Sequence, residues 1–356
     1  MIILNKGTLK LLDCTLRDGG QCLESNHKHG FPTPVFTDQE KRQIAENVRD
    51  SGADIIEIGC MTETTGKNKQ NIAIYENIEE ISAFLPHKKN KNQIYTGIFV
   101  DPDVPAAHVP QCSEEFIDGV RIILRYSELK KSLDFCAMLS KKGYKVFIQP
   151  MLTMRYTDSD IQMLIDYANN MNAYALYIVD SFGYMNESDV KLLYEKYAAG
   201  LNQDICIGFH AHNNMENALI NVRYFVENLI DRDCIIDACA MGMGQGAGNL
   251  QTEVAVNYLN SKFGSDYCLD KILNVCDILE KFRSHDMESW GYSTLRFIPA
   301  IHKAAYKYAV AMRKEYNMTL SEINYMLTDI PDNLRHRYTP ENLNELFKLR
   351  GYKKDN

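Results

Sequence analysis

Short apolar runs rich in β-branched residues recur along the first 245 residues, at 9–16, 54–59, 94–100, 120–124, 145–151, 175–180, 205–209 and 235–240. Each has the length of a strand buried on both faces, and stretches of helical period separate most of them. The segment 37–52 shows how those helices are specified. Thr37 with Glu40 three residues on forms a capping box, Ile44, Ala45 and Val48 make an apolar stripe, and Gly52 supplies the stop. The segments 158–170 and 187–199 repeat the pattern. Such alternation specifies βαβ units and a parallel sheet.

Eight units in about 260 residues predict an α/β fold of the (β/α)₈ TIM-barrel type. A doubly wound sheet would place a glycine-rich turn after its first strand, where this chain has Arg17-Asp18-Gly19-Gly20. Two stretches break the rhythm. Residues 19–36, with His27, His29, Pro32 and Pro34, read as a long loop after the first strand. Residues 101–118, with Pro102, Pro105 and Pro110, hold at best a short helix. Beyond Tyr267 only helices are predicted, at 271–282, 300–316, 320–327 and 340–349, with Thr319 and Thr339 as caps. The division is a barrel over residues 1–265 and a small helical C-terminal region over 266–356.

Charge follows the same division. Of the net −8, the first 266 residues carry −10 and the last 90 carry +2, which argues against general binding to nucleic acid. Ten cysteines without a CxxC pair read as reduced thiols in the cytoplasm. The opening residues read as a strand rather than a leader, and no apolar run is long enough for a membrane span.

Four segments could carry chemistry. Alternation along the seventh strand turns His210 and His212 to one side, spaced so that both reach one divalent ion at the barrel mouth. The alternative is a hydrogen-bonded polar pair. At the end of the first strand, Asp18 could add an oxygen ligand and Arg17 a fixed cationic fork for an oxyanion. Glu57, set among isoleucines in the second strand, needs a buried partner, and Arg17 would serve. After the eighth strand, the glycines of 241–249, Gly244 and Gly246 among them, allow close approach of a ligand and lead to Asn249.

Thr15-Leu16-Arg17-Asp18-Gly19, Glu57, His210-Ala211-His212-Asn213-Asn214 and Gly246-Ala247-Gly248-Asn249 together resemble the DRE-TIM metallolyase superfamily. Val179-Asp180-Ser181-Phe182-Gly183 and Trp290-Gly291-Tyr292-Ser293 are similar to its 4-hydroxy-2-oxovalerate aldolase-like branch. The resemblance implies a divalent metal on Asp18, His210 and His212, with Asn249 as a further ligand. It implies that Arg17 stabilises an enolate, that Glu57 supports the site, and that Ser181, Gly244 and Gly246 meet substrate. The aldolases carry a catalytic His just after the Arg-Asp-Gly motif, and this chain has Gly20-Gln21 there. Candidate acid–base groups are then His27, His29, His285 and Tyr292.

The expected activity is metal-dependent cleavage or formation of a 4-hydroxy-2-oxo acid through a pyruvate-type enolate, with Mn²⁺ or Mg²⁺ favoured over Zn²⁺ or Co²⁺. The alternatives are a Claisen-type acyl-CoA/2-oxo acid synthase on the same site, or a non-catalytic metal-binding subunit. The expected partner is a small anionic 2-oxo acid. The tail is expected to cover the barrel and support a homodimer. An aldehyde dehydrogenase partner is the weaker expectation that the resemblance brings.

Overall fold

The computed structural model of the chain describes residues 1–4, 7–28, 35–62, 73–88, 91–100, 104–283 and 290–352. Eight parallel strands run in chain order around a closed barrel: β1 (Gly7–Asp13), β2 (Ile55–Met61), β3 (Ile94–Phe99), β4 (Gly119–Leu124), β5 (Lys145–Pro150), β6 (Ala175–Asp180), β7 (Cys206–Ala211) and β8 (Cys234–Ala238). β8 pairs with β1 and β1 with β2, so the ring closes without an edge. A short strand, Ile2–Leu4, pairs antiparallel with β1.

The strands are apolar on both faces because both are covered. Leu12, Ile55, Phe147, Tyr177, Cys206 and Ile235 fill the interior, whereas Leu11, Ile56, Ile58, Ile148, Ile207 and Phe209 pack outward on helices. The helix Asp38–Ser51 has both bonds of the Thr37–Glu40 capping box and ends on Gly52 at φ 91°. Thr319 and Thr339 cap the helices Leu320–Leu327 and Pro340–Leu349. No helix among the described residues is long and apolar enough to cross a membrane.

The first connection departs from expectation. β1 stops at Asp13, and a helix, Thr15–Lys28, begins at once where a loop was expected from residue 19. Asp13 Oδ1 accepts from Thr15 N (3.0 Å), which turns the chain directly from strand into helix. Gly19-Gly20 reads as a breaker by propensity, yet both lie within the helix, where Gly19 packs closely against Met243 and Phe36. A Cβ there would lie 2.9 Å from Met243 Sδ and 3.4 Å from Phe36. Arg17 and Asp18 therefore project from the first turn of a helix rather than from a strand end.

Burial pushes the Asp13 carboxyl up to about 6, against the opposing donations from Thr252 Oγ1 (2.7 Å) and Thr15. An unfolded Asp titrates near 4 (roughly), so this site favours folding fully below that pH and loses its contribution as pH rises through about 6. The amide of Asp13→Asn still accepts from Thr15 and does not titrate. In urea titrations from pH 4 to 8, the variant should gain on wild type by roughly 2 kcal/mol as pH rises. Parallel profiles would show that Asp13 ionises normally.

The tail also differs in one place. The helix expected at 300–316 is two, Thr294–Ile301 and Lys307–Tyr316, with Lys303 between them at φ 54°. The bend forms because Lys303 N and Ala304 N fold back onto Ala300 O and Pro299 O, and it carries Ala305, Tyr306 and Lys307 to the barrel mouth. The helix Leu269–Leu279 packs into the outer barrel core through Ile272, Val275 and Leu279. From Leu295 to Phe347 the tail has its own apolar cluster, centred on Tyr308, Met312 and Leu346.

Candidate active site

The interior changes character near the C-terminal ends of the strands. Glu57 from β2, Arg121 from β4, His210 from β7 and Asp237 from β8 all point inward, and none is more than 5% exposed. Arg121 donates to Glu57 Oε2 (3.0 Å) and also binds Asp237. Gln149, with its carbonyl turned to the guanidinium, accepts from Arg121 Nε (3.2 Å) and Nη2 (2.8 Å). The Arg121 guanidinium lies 4.9 Å from the ring centre of Tyr177. That ring occupies the space beside Gly208, where a Cβ would come within 2.4 Å of it. A glycine two residues before His210 is thus what lets the aromatic floor sit under the charged layer.

On that layer rests a second one. Arg17 Nε donates to Glu57 Oε2 (2.8 Å), and its Nη1 binds Asp18 and Gln21 Oε1 (3.2 Å). Asn249 Nδ2 donates to Asp18 Oδ2 (2.9 Å), and His210 Nε2 stands 3.7 Å from the same oxygen. His210 Nδ1 is 2.9 Å from Asp237 Oδ2, which leaves Nε2 facing Asp18. The His210 and His212 rings lie 5.1 Å apart. The Cys14 and Cys239 thiols touch at 3.1 Å and flank Asp18 Oδ2 at 3.6 and 3.8 Å.

Electrostatics follow from this packing. Burial opposes charge on Asp18, but Arg17 and the two imidazoles outweigh it and hold the carboxyl below its ordinary range. Burial also opposes charge on His210, and its bond to Asp237 raises it to about 9. Burial, with His210 and Arg17 nearby, holds His212 down at about 3. Asp18 is therefore an anion, and His212 keeps a free lone pair.

The residues fit a divalent cation. They supply a mixed set of nitrogen and oxygen donors, with an imidazole oriented by a carboxylate behind it. Asn249 Oδ1 is buried and has no hydrogen-bond partner, so the set contains one acceptor that the protein itself leaves unsatisfied. Cys14, Asp18 and His210 bring ligand atoms within 4.8 Å of one another.

Above these groups opens a cavity of about 530 Å³ at the mouth. Arg17, Asp18, His210, His212, Ser181 and Gly246 line it from the barrel, and Tyr306, Lys307, His336 and Arg337 from the tail.

Residues 8–280 match the family described as HMGL-like. The chain belongs to the HMGL-like family. A 4-hydroxy-2-oxovalerate aldolase of Carboxydothermus hydrogenoformans is 26% identical over 86% of this chain and 89% of that protein. One from Desulfitobacterium hafniense is 30% identical over 69% of each. In fold the HMGL-like chain is similar to the N-terminal domain of a protein described as an aldolase, from Bacteroides vulgatus. That match has a TM-score of 0.66 and 21% identity, over 86% of this chain and 98% of the other.

Arg17, Asp18, His210 and His212 line one cavity, with Glu57 and Asn249 bonded to Arg17 and Asp18; the ligand atoms that lie within 4.8 Å of one another are those of Cys14, Asp18 and His210, and His212 is not in that group. Ser181 lines the cavity while its Oγ accepts from Leu152 N (2.9 Å). Gly246 lines it too, but Gly244 faces the Asn249 amide, 2.4 Å from where its Cβ would be, and is not among the lining residues. Tyr292 is 57% exposed and does not line the cavity; beside it Gly291 N donates to Ala247 O and the Trp290 indole to Met241 O. His29 and His285 lie outside the described residues, as does the side chain of His27.

Sequence reasoning missed Arg121, Asp237, Gln149 and the tail residues of the cavity. Arg121 and Asp237 carry a signal, a charged side chain inside an apolar strand, that was read for Glu57 alone.

Proposed function

We propose that the protein is a divalent-metal-dependent aldolase, a carbon–carbon lyase that cleaves or forms a 4-hydroxy-2-oxo acid through a pyruvate-type enolate. The observation that carries this reading is the Arg17 fork, fixed by Glu57, Asp18 and Gln21 beside the Asp18–His210–His212–Asn249 donor set on a cavity floor. Those four residues would hold the cation, which when bound supplies Lewis-acid polarisation of a carbonyl.

The chain's own groups do the rest. Arg17 presents N–H donors to the oxygen that becomes negative as the C3–C4 bond breaks, and its partners keep it from reorganising. Asp237 fixes the ring orientation of His210. The C4 hydroxyl gives up its proton to a basic group of the cavity lining. Among the described lining residues, His336 is the imidazole outside the donor set, and burial together with Arg155 holds its pKa below the ordinary value.

Pyruvate release from 4-hydroxy-2-oxo acids, dependent on Mn²⁺ or Mg²⁺, tests the reading. His210→Ala should lose bound metal and turnover together. Thiol release from acetyl-CoA with a 2-oxo acid, in place of pyruvate release, would make the protein a synthase. Metal bound by wild type and lost in His210→Ala, with no 2-oxo acid turned over, would make it a binding subunit.

A further inference from the structure

Cys14 sits between the end of β1 and the first residue of the helix Thr15–Lys28. Asp18 N donates to Cys14 O (2.9 Å), so the two side chains stand one helical turn apart on one face. Cys14 N donates to Ala238 O (2.9 Å), which fixes the thiol beside the end of β8. Cys14 and Cys239 are both wholly buried and border the apolar interior of the barrel. Apolar packing alone does not account for the polar groups around them.

Asp18 Oδ2 has Cys14 Sγ at 3.6 Å, His210 Nε2 at 3.7 Å and Cys239 Sγ at 3.8 Å. Ligands of one tetrahedral cation, with bonds of about 2.0 Å to oxygen or nitrogen and about 2.3 Å to sulfur, lie roughly 3.3–3.6 Å from one another. The Cys14 and His210 separations from Asp18 are close to that spacing. The two sulfurs, however, are 3.1 Å apart, too close for both to sit on one such ion, which would hold them roughly 3.8 Å apart. Cys14 is the thiol whose sulfur also comes within 4.8 Å of the His210 ligand atom, and no other such set forms among the described residues. The other acceptor in reach of that thiol is Ala238 O, at 3.5 Å. Asn249 supplies an independent observation. Its Nδ2 donates to Asp18 Oδ2 (2.9 Å) and Cys239 Sγ (3.2 Å), while Oδ1 of the same amide is buried without a partner.

Resting on the metal site of the aldolase reading, we propose that Cys14 Sγ is a ligand of the cation beside Asp18 and His210. The thiol gives its proton to solvent as the metal–sulfur bond forms, and no oxidation state changes. His212, Asn249 Oδ1 and a substrate oxygen are left for the remaining positions. A sulfur ligand favours Zn²⁺, Co²⁺ or Fe²⁺ over the Mn²⁺ or Mg²⁺ that nitrogen and oxygen donors alone suggest. The turnover assay is then run with those ions as well.

Titration of the metal-depleted full chain with Co²⁺ tests the assignment. Wild type should develop a near-ultraviolet sulfur-to-cobalt charge-transfer band that saturates at one ion per chain. Cys14→Ser should lose the band, bind Co²⁺ about tenfold more weakly, and narrow the preference for Zn²⁺ over Mn²⁺ by a similar factor. Cys239→Ser should keep the band. X-ray absorption of the Zn²⁺-loaded wild type needs no variant to fold, and should show one sulfur at about 2.3 Å. Bound Co²⁺ without the band and bound Zn²⁺ without a sulfur neighbour overturn the inference. A band lost in Cys239→Ser and kept in Cys14→Ser overturns it too, as does a Zn²⁺ preference that is the same in Cys14→Ser and wild type. None of these readouts uses turnover. A metal–sulfur bond with no pyruvate released from any 4-hydroxy-2-oxo acid overturns the aldolase reading alone, and pyruvate release without that bond overturns this inference alone.

Discussion

Arg121→Leu is expected to destabilise the fold by roughly 3–5 kcal/mol, the range for breaking a buried ion pair by removing one partner. Arg121 is wholly buried and joins Glu57 to Asp237 across the barrel interior. Leucine would leave Glu57 with Arg17 alone and Asp237 with His210 alone, and it would leave the Gln149 carbonyl without a donor. Two carboxylates would then share too little positive charge in a medium that solvates them poorly. Lysine keeps the charge but not the fork, so Arg121→Lys should fall between wild type and Leu. Adding Glu57→Gln to Arg121→Leu should recover part of the loss, because one stranded carboxylate is removed. Urea unfolding midpoints for the four proteins check this ordering. A loss below about 1 kcal/mol in Arg121→Leu would mean that water or rearrangement compensates the carboxylates, contrary to the packing described.

The barrel was legible because its determinants are local. Apolar runs of strand length, capping residues such as Thr37 and Thr319, and a strand count of eight are all read over a few residues at a time. The departures arose where a distant contact, or a local fold-back without a glycine, overrode propensity. Gly19 looks like a turn until Met243, more than two hundred positions away, is packed against it. Lys303 carries no glycine-like signal for the left-handed bend that splits the tail helix.

The floor of the site was legible for a related reason. His210 and His212 follow from the two-residue period of a strand, and Asp18 and Asn249 from the ring closure that sets β1 beside β8. The roof was not. Nothing in the local pattern of Tyr306, Lys307, His336 or Arg337 distinguishes them from surface residues of a helical appendix. Their role depends on how the tail seats over the mouth, which only the tertiary structure supplies.

The second large effect expected is on turnover. Arg17→Lys should lower kcat by about 10²- to 10³-fold, the scale for removing a donor to a developing oxyanion, while KM and metal content change little. Arg17 divides its donors among Glu57, Asp18 and Gln21 and still lines the cavity. A lysine ammonium is a point charge that can pair with Asp18 or with Glu57, but it cannot do both and present a donor to the substrate. The residues proposed to hold the metal stay in place, because Asp18 keeps its bond from Asn249 and His210 its bond to Asp237. Steady-state kinetics with metal quantified per chain separates the outcomes. A rise in KM with kcat intact would make Arg17 a ground-state binding residue. Loss of metal would show that its main task is to position Asp18, and a fall in kcat with metal retained places its contribution in the transition state.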